Sequence, residues 1–132
     1  MIVLDTSSLV RFFTNDEPEK AKQVDTLLES DEELLIPDVV FPELEYILTS
    51  QKYKLTRKKL SEIYKSLVSQ NNIITTAEVR KAAGIYENSK LDMADCIIAA
   101  TVLINGAEIS SFDRDLLNLV GAPGFEPGTT RV

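Results

Sequence analysis

The chain has 132 residues, 44% of them hydrophobic and 27% charged, which predicts a single folded domain and excludes a protein that is disordered throughout. It lacks histidine and has one cysteine, Cys96, so histidine-dependent catalytic triads, histidine-containing zinc sites and internal disulfides are excluded. The net charge of −7 is uneven, because residues 50–90 carry nine bases and three acids within an otherwise acidic chain.

Four short apolar runs predict β-strands. In chain order they are residues 1–4, 34–36, 73–75 and 107–111. The segments between and after them repeat apolar residues at helical spacing. These predicted helices are residues 6–13, 18–28, 38–48, 56–68, 76–86 and 92–103, and a short helical turn follows Phe112.

Polar residues that suit helix capping precede several of these helices. They are the hydroxyl residues 6–8, Asp38, Thr56 and Thr76. Pro18 suits a first helical turn, and Pro42 is tolerated because it also lies in a first turn. The helix at 92–103 is mostly apolar, so we expect it to be buried on most sides.

The alternation of strands and helices predicts an α/β fold. Parallel strands need crossover connections, so we expect a three-layer α/β/α sandwich with a central parallel sheet of four to five strands. This domain should span residues 1–120. Residues 121–132 contain three Gly and two Pro without a periodic pattern, which predicts an extended or disordered tail.

The apolar runs are short, and no basic segment follows Met1. These features predict neither a transmembrane helix nor a signal peptide. With no disulfide to form, the chain is expected in the reducing environment of the cytoplasm.

Four acids are expected at one edge of the sheet, because ligands of an open α/β sheet bind outside the carboxyl ends of its strands. Asp5 ends the first strand, and Asp113 follows the last one. Glu43 and Asp95 lie in the first turns of helices that start at the same edge. Taken singly, each acid is also explained as a helix cap or as a favourable charge at a helix N-terminus, and Asp92 fits the cap best.

Together, the four carboxylates point to a metal site, because converging carboxylates must be protonated or neutralised by a cation. Oxygen ligands suit Mg²⁺ or Mn²⁺. A strip of basic residues could attract a polyanion, although a solvated helix start explains it equally well. The strip consists of Lys52, Lys54, Arg57, Lys58 and Lys59. A carboxylate metal site beside this strip suggests phosphodiester hydrolysis.

Four segments resemble the successive motifs of the PIN domain. They are residues 1–10 (MIVLDTSSLV), 36–44 (IPDVVFPEL), 91–100 (LDMADCIIAA) and 111–116 (SFDRDL). The order and spacing of the four motifs make the resemblance specific, and it covers residues 1 to about 118. Within this family, the chain resembles the VapC-type ribonuclease toxins of prokaryotic toxin–antitoxin modules. The Gly- and Pro-rich tail departs from the family pattern, which usually has another short strand there.

The resemblance implies a Mg²⁺- or Mn²⁺-dependent endoribonuclease that cleaves single-stranded RNA. Its catalytic acids would be Asp5, Glu43, Asp95 and Asp113. Asp5 and Asp95 would bind the metal, with further candidate ligands at Asp92, Asp113 and Asp115. Thr6 or Ser7 would support the site through hydrogen bonds. The implied partners are an RNA substrate, a small cognate antitoxin and a second copy of the chain in a homodimer.

Two other functions are consistent with parts of the sequence. A catalytically inert PIN-fold binding module, acting as a dimer or antitoxin partner, would explain the apolar pair Phe12-Phe13. An aspartyl-phosphate protein would use Asp5 as its nucleophile. The second reading fits poorly, because phosphatases of the haloacid dehalogenase type need an Asp where Ser7 stands. Receiver domains place the phosphorylated Asp deeper in the chain and need a catalytic Lys after a later strand.

Overall fold

The protein's structure is a computed structural model that describes residues 1–121. In these residues, three short strands form one parallel sheet: β1 (Ile2–Val3), β2 (Leu34–Leu35) and β3 (Ile73–Ile74). The strand order is β1-β2-β3, so β2 lies in the centre. Leu34 is in register with Ile2 on one side and with Ile73 on the other.

Seven helices connect and follow these strands within the described residues. They are α1 (Thr6–Thr14), α2 (Pro18–Leu28), α3 (Val40–Leu48), α4 (Arg57–Ser69), α5 (Ala77–Asn88), α6 (Met93–Asn105) and α7 (Arg114–Val120). Two helices cross from β1 to β2, and two cross from β2 to β3, as parallel pairing requires. The predicted α/β class and parallel sheet are confirmed, and the arrangement is consistent with an α/β/α sandwich.

The sheet is smaller than predicted. Residues 107–111 form no strand, so the described part of the chain has three strands instead of four to five. In this run, Ala107, Glu108 and Ser110 are exposed, and Ile109 is its one large apolar side chain that packs against the core. A segment that buries so little apolar surface gains little from pairing with a sheet.

The capping predictions are partly confirmed. Thr56 and Thr76 cap α4 and α5, as their positions predicted. The cap of α1 is Asp5 rather than one of the hydroxyl residues that follow it. The prediction for Asp38 is wrong, because α3 starts without a side-chain cap and the backbone carbonyl of Asp38 already accepts from Phe41 N. The side chain of Asp38 instead accepts a hydrogen bond from Thr76 Oγ1 at 2.9 Å.

Three aromatic rings tie the middle helices together in the core. Tyr64 of α4 lies between Phe41 of α3 and Tyr86 of α5, with ring centroids 5.8 and 5.0 Å away. The Tyr64 hydroxyl donates to Phe41 O at 2.6 Å. Burial raises the pKa of Tyr64 far above its usual value, so the hydroxyl remains a donor. These contacts hold α3 against α4 and α5, and α5 leads directly into α6.

The prediction that α6 is buried on most sides is wrong. Its inner face is buried through Met93, Cys96, Ala99 and Ala100. Its outer face includes Ile98, which is 45% exposed, because α6 packs against α3, α5 and α7 on one side. No helix in residues 1–121 is long and apolar enough to cross a membrane. Gly121 ends α7, and the rest of the predicted tail lies outside the described residues.

Candidate active site

Asp5 lies two residues after the end of β1, where it serves as the N-cap of α1. Its Oδ1 accepts hydrogen bonds from Ser8 N at 3.0 Å and from Ser7 Oγ at 2.8 Å. These bonds, that from the Ser8 backbone first, lower the pKa of Asp5. The exposed carboxylate is therefore ionised and held in one orientation by the start of the helix.

Thr6 brings Glu43 next to Asp5. The Thr6 side chain is buried, and its Oγ1 donates to Glu43 Oε1 at 3.0 Å. This bond joins the first residue of α1 to the first turn of α3. The contact agrees with the predicted supporting role of Thr6, and Glu43 is its partner.

A second acidic group forms where α6 and α7 begin. Asp92 caps α6 and accepts from Asp95 N at 2.8 Å, and Asp113 caps α7 and accepts from Leu116 N at 3.0 Å. The pKa of Asp95 is raised by burial first, and then by the charges of Asp92 and Asp113. The charge of Asp113 therefore acts on Asp95, although 18 positions separate the two residues in the chain.

Helix α3 contacts both acidic groups. Glu43 accepts from Thr6 beside Asp5, and Glu45 accepts from the backbone N–H of Met93, which follows Asp92. Helix α3 thus bonds to Thr6, which follows Asp5 in the chain, and to Met93, which follows Asp92. Asp115, a further candidate ligand, lines a separate cavity of about 350 Å³ with Ser89 and Asn118.

The donor chemistry of these acids fits a hard divalent cation. Each of the three capping aspartates accepts its capping N–H through Oδ1. These three are Asp5, Asp92 and Asp113. As the side chains stand, no three acids or cysteines among residues 1–121 are grouped closely enough to hold one ion. The carboxylates thus offer open oxygen ligands in two neighbouring groups rather than in one closed cluster.

Glu45 is a site residue that the sequence analysis missed. Its Oε2 accepts from the Tyr86 hydroxyl at 2.6 Å, and its Oε1 accepts from Met93 N at 2.9 Å. Burial and this bond to Glu45 raise the pKa of Tyr86, so Tyr86 is the donor. One signal could have identified Glu45, because it lies on the apolar stripe of α3, four residues after Phe41 and three before Leu48.

Arg57 has a different environment from the one predicted. Its Nη2 donates to the backbone carbonyls of Tyr86, at 2.9 Å, and of Leu91, at 2.5 Å. Its guanidinium also lies over the Tyr86 ring, 3.8 Å from the centroid. The half-buried side chain is therefore bonded to α5 and to the residue before Asp92, and it lines a cavity together with Lys58.

The lysines of the basic strip lie in several surroundings. Lys52 lies over the ring of Tyr53, and the Tyr53 hydroxyl donates to Asp16 just beyond the end of α1. Lys54 in the same loop adopts a left-handed backbone conformation, with φ of 55°. This loop is thus tied to the end of α1 opposite to Asp5.

The other two lysines of the strip lie in the first turn of α4. Lys59 pairs with Glu62 at 3.7 Å, and both side chains are exposed. Lys58 lines a cavity of about 440 Å³ together with Ser61 and Lys65. The five basic residues therefore do not form one continuous surface.

The apolar pair Phe12-Phe13 packs against itself and the core. The two rings meet edge to face with centroids 5.0 Å apart, both side chains are half-buried, and Phe13 contacts the core. The pair therefore contributes to packing, which weakens the reason for reading it as an exposed partner surface.

The comparisons with known proteins agree with this geometry. The family model for the PIN domain matches residues 2–121, which is most of the chain. No curated protein matches the chain at a significant level. PIN domains are generally nucleases that act on RNA or DNA, and they generally use divalent metal ions.

Proposed function

We propose that this chain, which belongs to the PIN domain family, is a Mg²⁺- or Mn²⁺-dependent endoribonuclease that cleaves single-stranded RNA. We further propose that it is the toxin of a type II toxin–antitoxin system. Family membership supports a nuclease acting on nucleic acid. The choice of RNA and the toxin role rest on the resemblance of its motifs to those of the VapC-type toxins.

One observation carries the metal-dependent reading. Asp95 N donates to Asp92 Oδ1 at 2.8 Å, and the pKa of half-buried Asp95 is raised first by burial and then by the charges of Asp92 and Asp113. Like charges that face one another in a partly desolvated place are unfavourable unless a proton or a cation lies among them. Acids that lay apart on the exposed surface would not incur this electrostatic cost. The grouping of these three acids therefore favours a cation-binding role.

In this proposal the site residues have different roles. Asp5 and Asp95 would hold the metal, with Asp92 and Asp113 as additional oxygen ligands. A bound Mg²⁺ would lower the pKa of a coordinated water and offset the charge that develops on the phosphate. Ser7 and Ser8 keep the Asp5 carboxylate ionised and oriented.

Glu43 and Thr6 complete the proposed site. The Thr6 hydroxyl holds one oxygen of the Glu43 side chain, which leaves the other oxygen free to orient a water. The buried position of Thr6 fixes this arrangement from the core side. Glu43 is thus suited to accepting a proton from an attacking water beside Asp5.

The lysines of the former strip are proposed to contact RNA phosphates. They are Lys52, Lys54, Lys58 and Lys59. Lysine contacts to phosphate act as point charges, so cleavage should weaken as salt concentration rises. Arg57 is left out of this set, because its guanidinium is committed to two backbone carbonyls.

The remaining partners are proposed from the resemblance. We expect a homodimer in the cytoplasm that a small cognate antitoxin inhibits. The inert binding module stays the alternative, and it predicts a dimer or an antitoxin complex without metal-dependent cleavage.

The test compares the wild-type protein with Asp95→Asn and with the matched control Asp25→Asn. Asp25 is an exposed acid on α2, and no site residue contacts its side chain. We expect end-labelled single-stranded RNA to be cleaved with Mg²⁺ or Mn²⁺ but not with EDTA. Asp95→Asn should lose at least about 100-fold in rate, since a catalytic metal supplies several kcal/mol. Asp25→Asn should cleave as the wild type does.

Wild-type turnover in Asp95→Asn would refute the proposal. A wild-type protein that neither binds Mn²⁺ in calorimetry nor cleaves RNA, yet forms a dimer or an antitoxin complex, would support the inert module instead.

A further inference from the structure

The backbone groups immediately before and after Asp92 both form hydrogen bonds to side chains of other helices. On one side, the carbonyl of Leu91 accepts from Arg57 Nη2 at 2.5 Å. On the other side, the N–H of Met93 donates to Glu45 Oε1 at 2.9 Å. Arg57 belongs to α4 and Glu45 to α3, so two separate helices contact residues 91–93, which we call the entrance of α6.

Tyr86 of α5 joins these two contacts into one network. Its hydroxyl donates to the second oxygen of Glu45, its ring lies beneath the Arg57 guanidinium, and its carbonyl accepts from Arg57. Tyr86 is also 1% exposed, so the network is anchored in the core. We call Glu45, Arg57 and Tyr86 the entrance clamp. Hydrogen bonds to charged groups are shorter and stronger than neutral ones, which suits the clamp to fixing a backbone segment.

The clamp also provides a hydrogen-bond acceptor for the first turn of α6. The first N–H groups of a helix have no partner within the helix. Asp92 takes the N–H of Asp95, and Glu45 takes that of Met93, so two of these groups bind carboxylates. Both acids also interact favourably with the positive end of the helix dipole. The charge of Arg57 lies in the same network and offsets that of Glu45.

From this geometry we infer that Glu45 and Arg57 are positioning residues, which hold Asp92 and Asp95 in the orientation that binds the divalent cation. The inference rests on the proposed function. Asp92 is bracketed by the two bonded backbone groups, and its Oδ1 accepts from Asp95 N at 2.8 Å, so the two bonds to the backbone also set where the Asp92 and Asp95 carboxylates point. Neither Glu45 nor Arg57 is assigned a contact with metal or RNA, and both act through the start of α6.

The test uses Glu45→Gln, with Glu87→Gln as its matched control. A glutamine replaces one carboxylate oxygen by an NH2 group, which cannot accept from the Tyr86 hydroxyl, and leaves Met93 N a neutral amide oxygen in place of a carboxylate. Glu87 follows Tyr86 directly on α5, and its ion pair with Lys65 at 2.7 Å joins α5 to α4 rather than to α6. Circular dichroism melts first establish a temperature at which every variant is folded.

Three measurements are then made at that temperature. In the metal-free protein, amide hydrogen exchange of Met93 should be about 10-fold faster in Glu45→Gln, because its N–H then bonds a neutral amide oxygen instead of a carboxylate. In Mn²⁺ titrations followed by electron paramagnetic resonance, the Kd of Glu45→Gln should rise about 10- to 100-fold. The kcat at saturating Mn²⁺ should approach the wild-type value, since all ligands remain. Glu87→Gln should match the wild type in all three.

Unchanged Met93 exchange, or an unchanged Mn²⁺ affinity in a folded Glu45→Gln protein, overturns the inference. If Glu45→Gln does not fold, Tyr86→Phe decides, because it keeps the ring under Arg57 and removes only the hydroxyl donor to Glu45. We expect the Mn²⁺ Kd of Tyr86→Phe to rise about 2- to 10-fold, and no change would overturn the inference. A wild-type protein that binds no Mn²⁺ refutes the proposed function and this role with it. Intact Mn²⁺-dependent cleavage without an effect of Glu45→Gln refutes this role alone.

Discussion

Replacing Asp5 by asparagine or by alanine separates its role as a helix cap from its proposed role as a metal ligand. Asparagine caps helices about as well as aspartate, so Asp5→Asn keeps the bond from Ser8 N and removes the charge. Alanine removes both the cap and the bond from Ser7. The two variants should therefore differ in stability and agree in their loss of RNA cleavage.

The sizes of the two stability changes follow from the bonds at Asp5. Loss of an N-cap costs about 0.5–2 kcal/mol, and loss of one side-chain hydrogen bond costs about 0.5–1.5 kcal/mol. Because Asp5 is exposed, we take the lower part of both ranges, which gives about 1–2 kcal/mol for Asp5→Ala. For a chain of this length, that corresponds to a fall in Tm of about 3–8 °C. Asp5→Asn should stay within about 0.5 kcal/mol of the wild type.

The assay measures thermal melts in EDTA and then Mg²⁺-dependent RNA cleavage for the same samples. Thr76→Ala is the control, because it removes the cap of α5 and leaves every site carboxylate in place. We expect it to melt earlier and to cleave RNA normally. Wild-type cleavage by Asp5→Asn would refute the ligand role. Equal Tm values for Asp5→Asn and Asp5→Ala would refute the cap role.

Three further predictions concern the core and the acidic group. Tyr64→Phe should lower the free energy of unfolding in urea by about 0.5–1.5 kcal/mol, since it loses the bond to Phe41 O, and an unchanged value would contradict this. Burial raises the pKa of the Cys96 thiol to about 11. A disulfide reagent should therefore label Cys96 only after unfolding, and labelling of the native protein would contradict this. The pKa of Asp95 is raised above 3.8, so the folded state holds its proton more tightly and the contribution of Asp95 to metal-free stability should fall as pH rises above that value. The Tm advantage of Asp95→Asn over the wild type in EDTA should then grow with pH, and a constant difference would contradict it.

Much of the fold could be predicted because its signals are local. The apolar runs before Asp5 and Pro37 became strands, and Thr56 and Thr76 became caps. Residues 107–111, where Ile109 is the one large apolar residue, form no strand, because pairing with a sheet depends on what the neighbouring elements cover. The same reason explains the exposed outer face of α6, since an apolar helix is buried only where a partner lies against it.

The acids of the candidate site were predictable as residue types and as positions. Each stands at a strand end or in a first helical turn, and such places share one edge of a parallel sheet. Their pairings were not predictable, because nothing near Thr6 in the chain points to Glu43. The bonds of Arg57 were not predictable for the same reason. Its place in a basic run indicated an exposed side chain, whereas its bonding partners, Tyr86 O and Leu91 O, lie about 30 positions away in the chain.

The sequence alone therefore determined the order of the elements, the helix starts at Asp5, Thr56, Thr76 and Asp92, and the family to which the motifs belong. The tertiary structure alone decided that the charge of Asp113 acts on Asp95 and that Glu45 and Arg57 hold the entrance of α6. The physical reason is the distance along the chain over which each property is determined. Caps and periodicity depend on residues within one or two turns, whereas a carboxylate's charge, burial and partners depend on side chains that only folding brings near it.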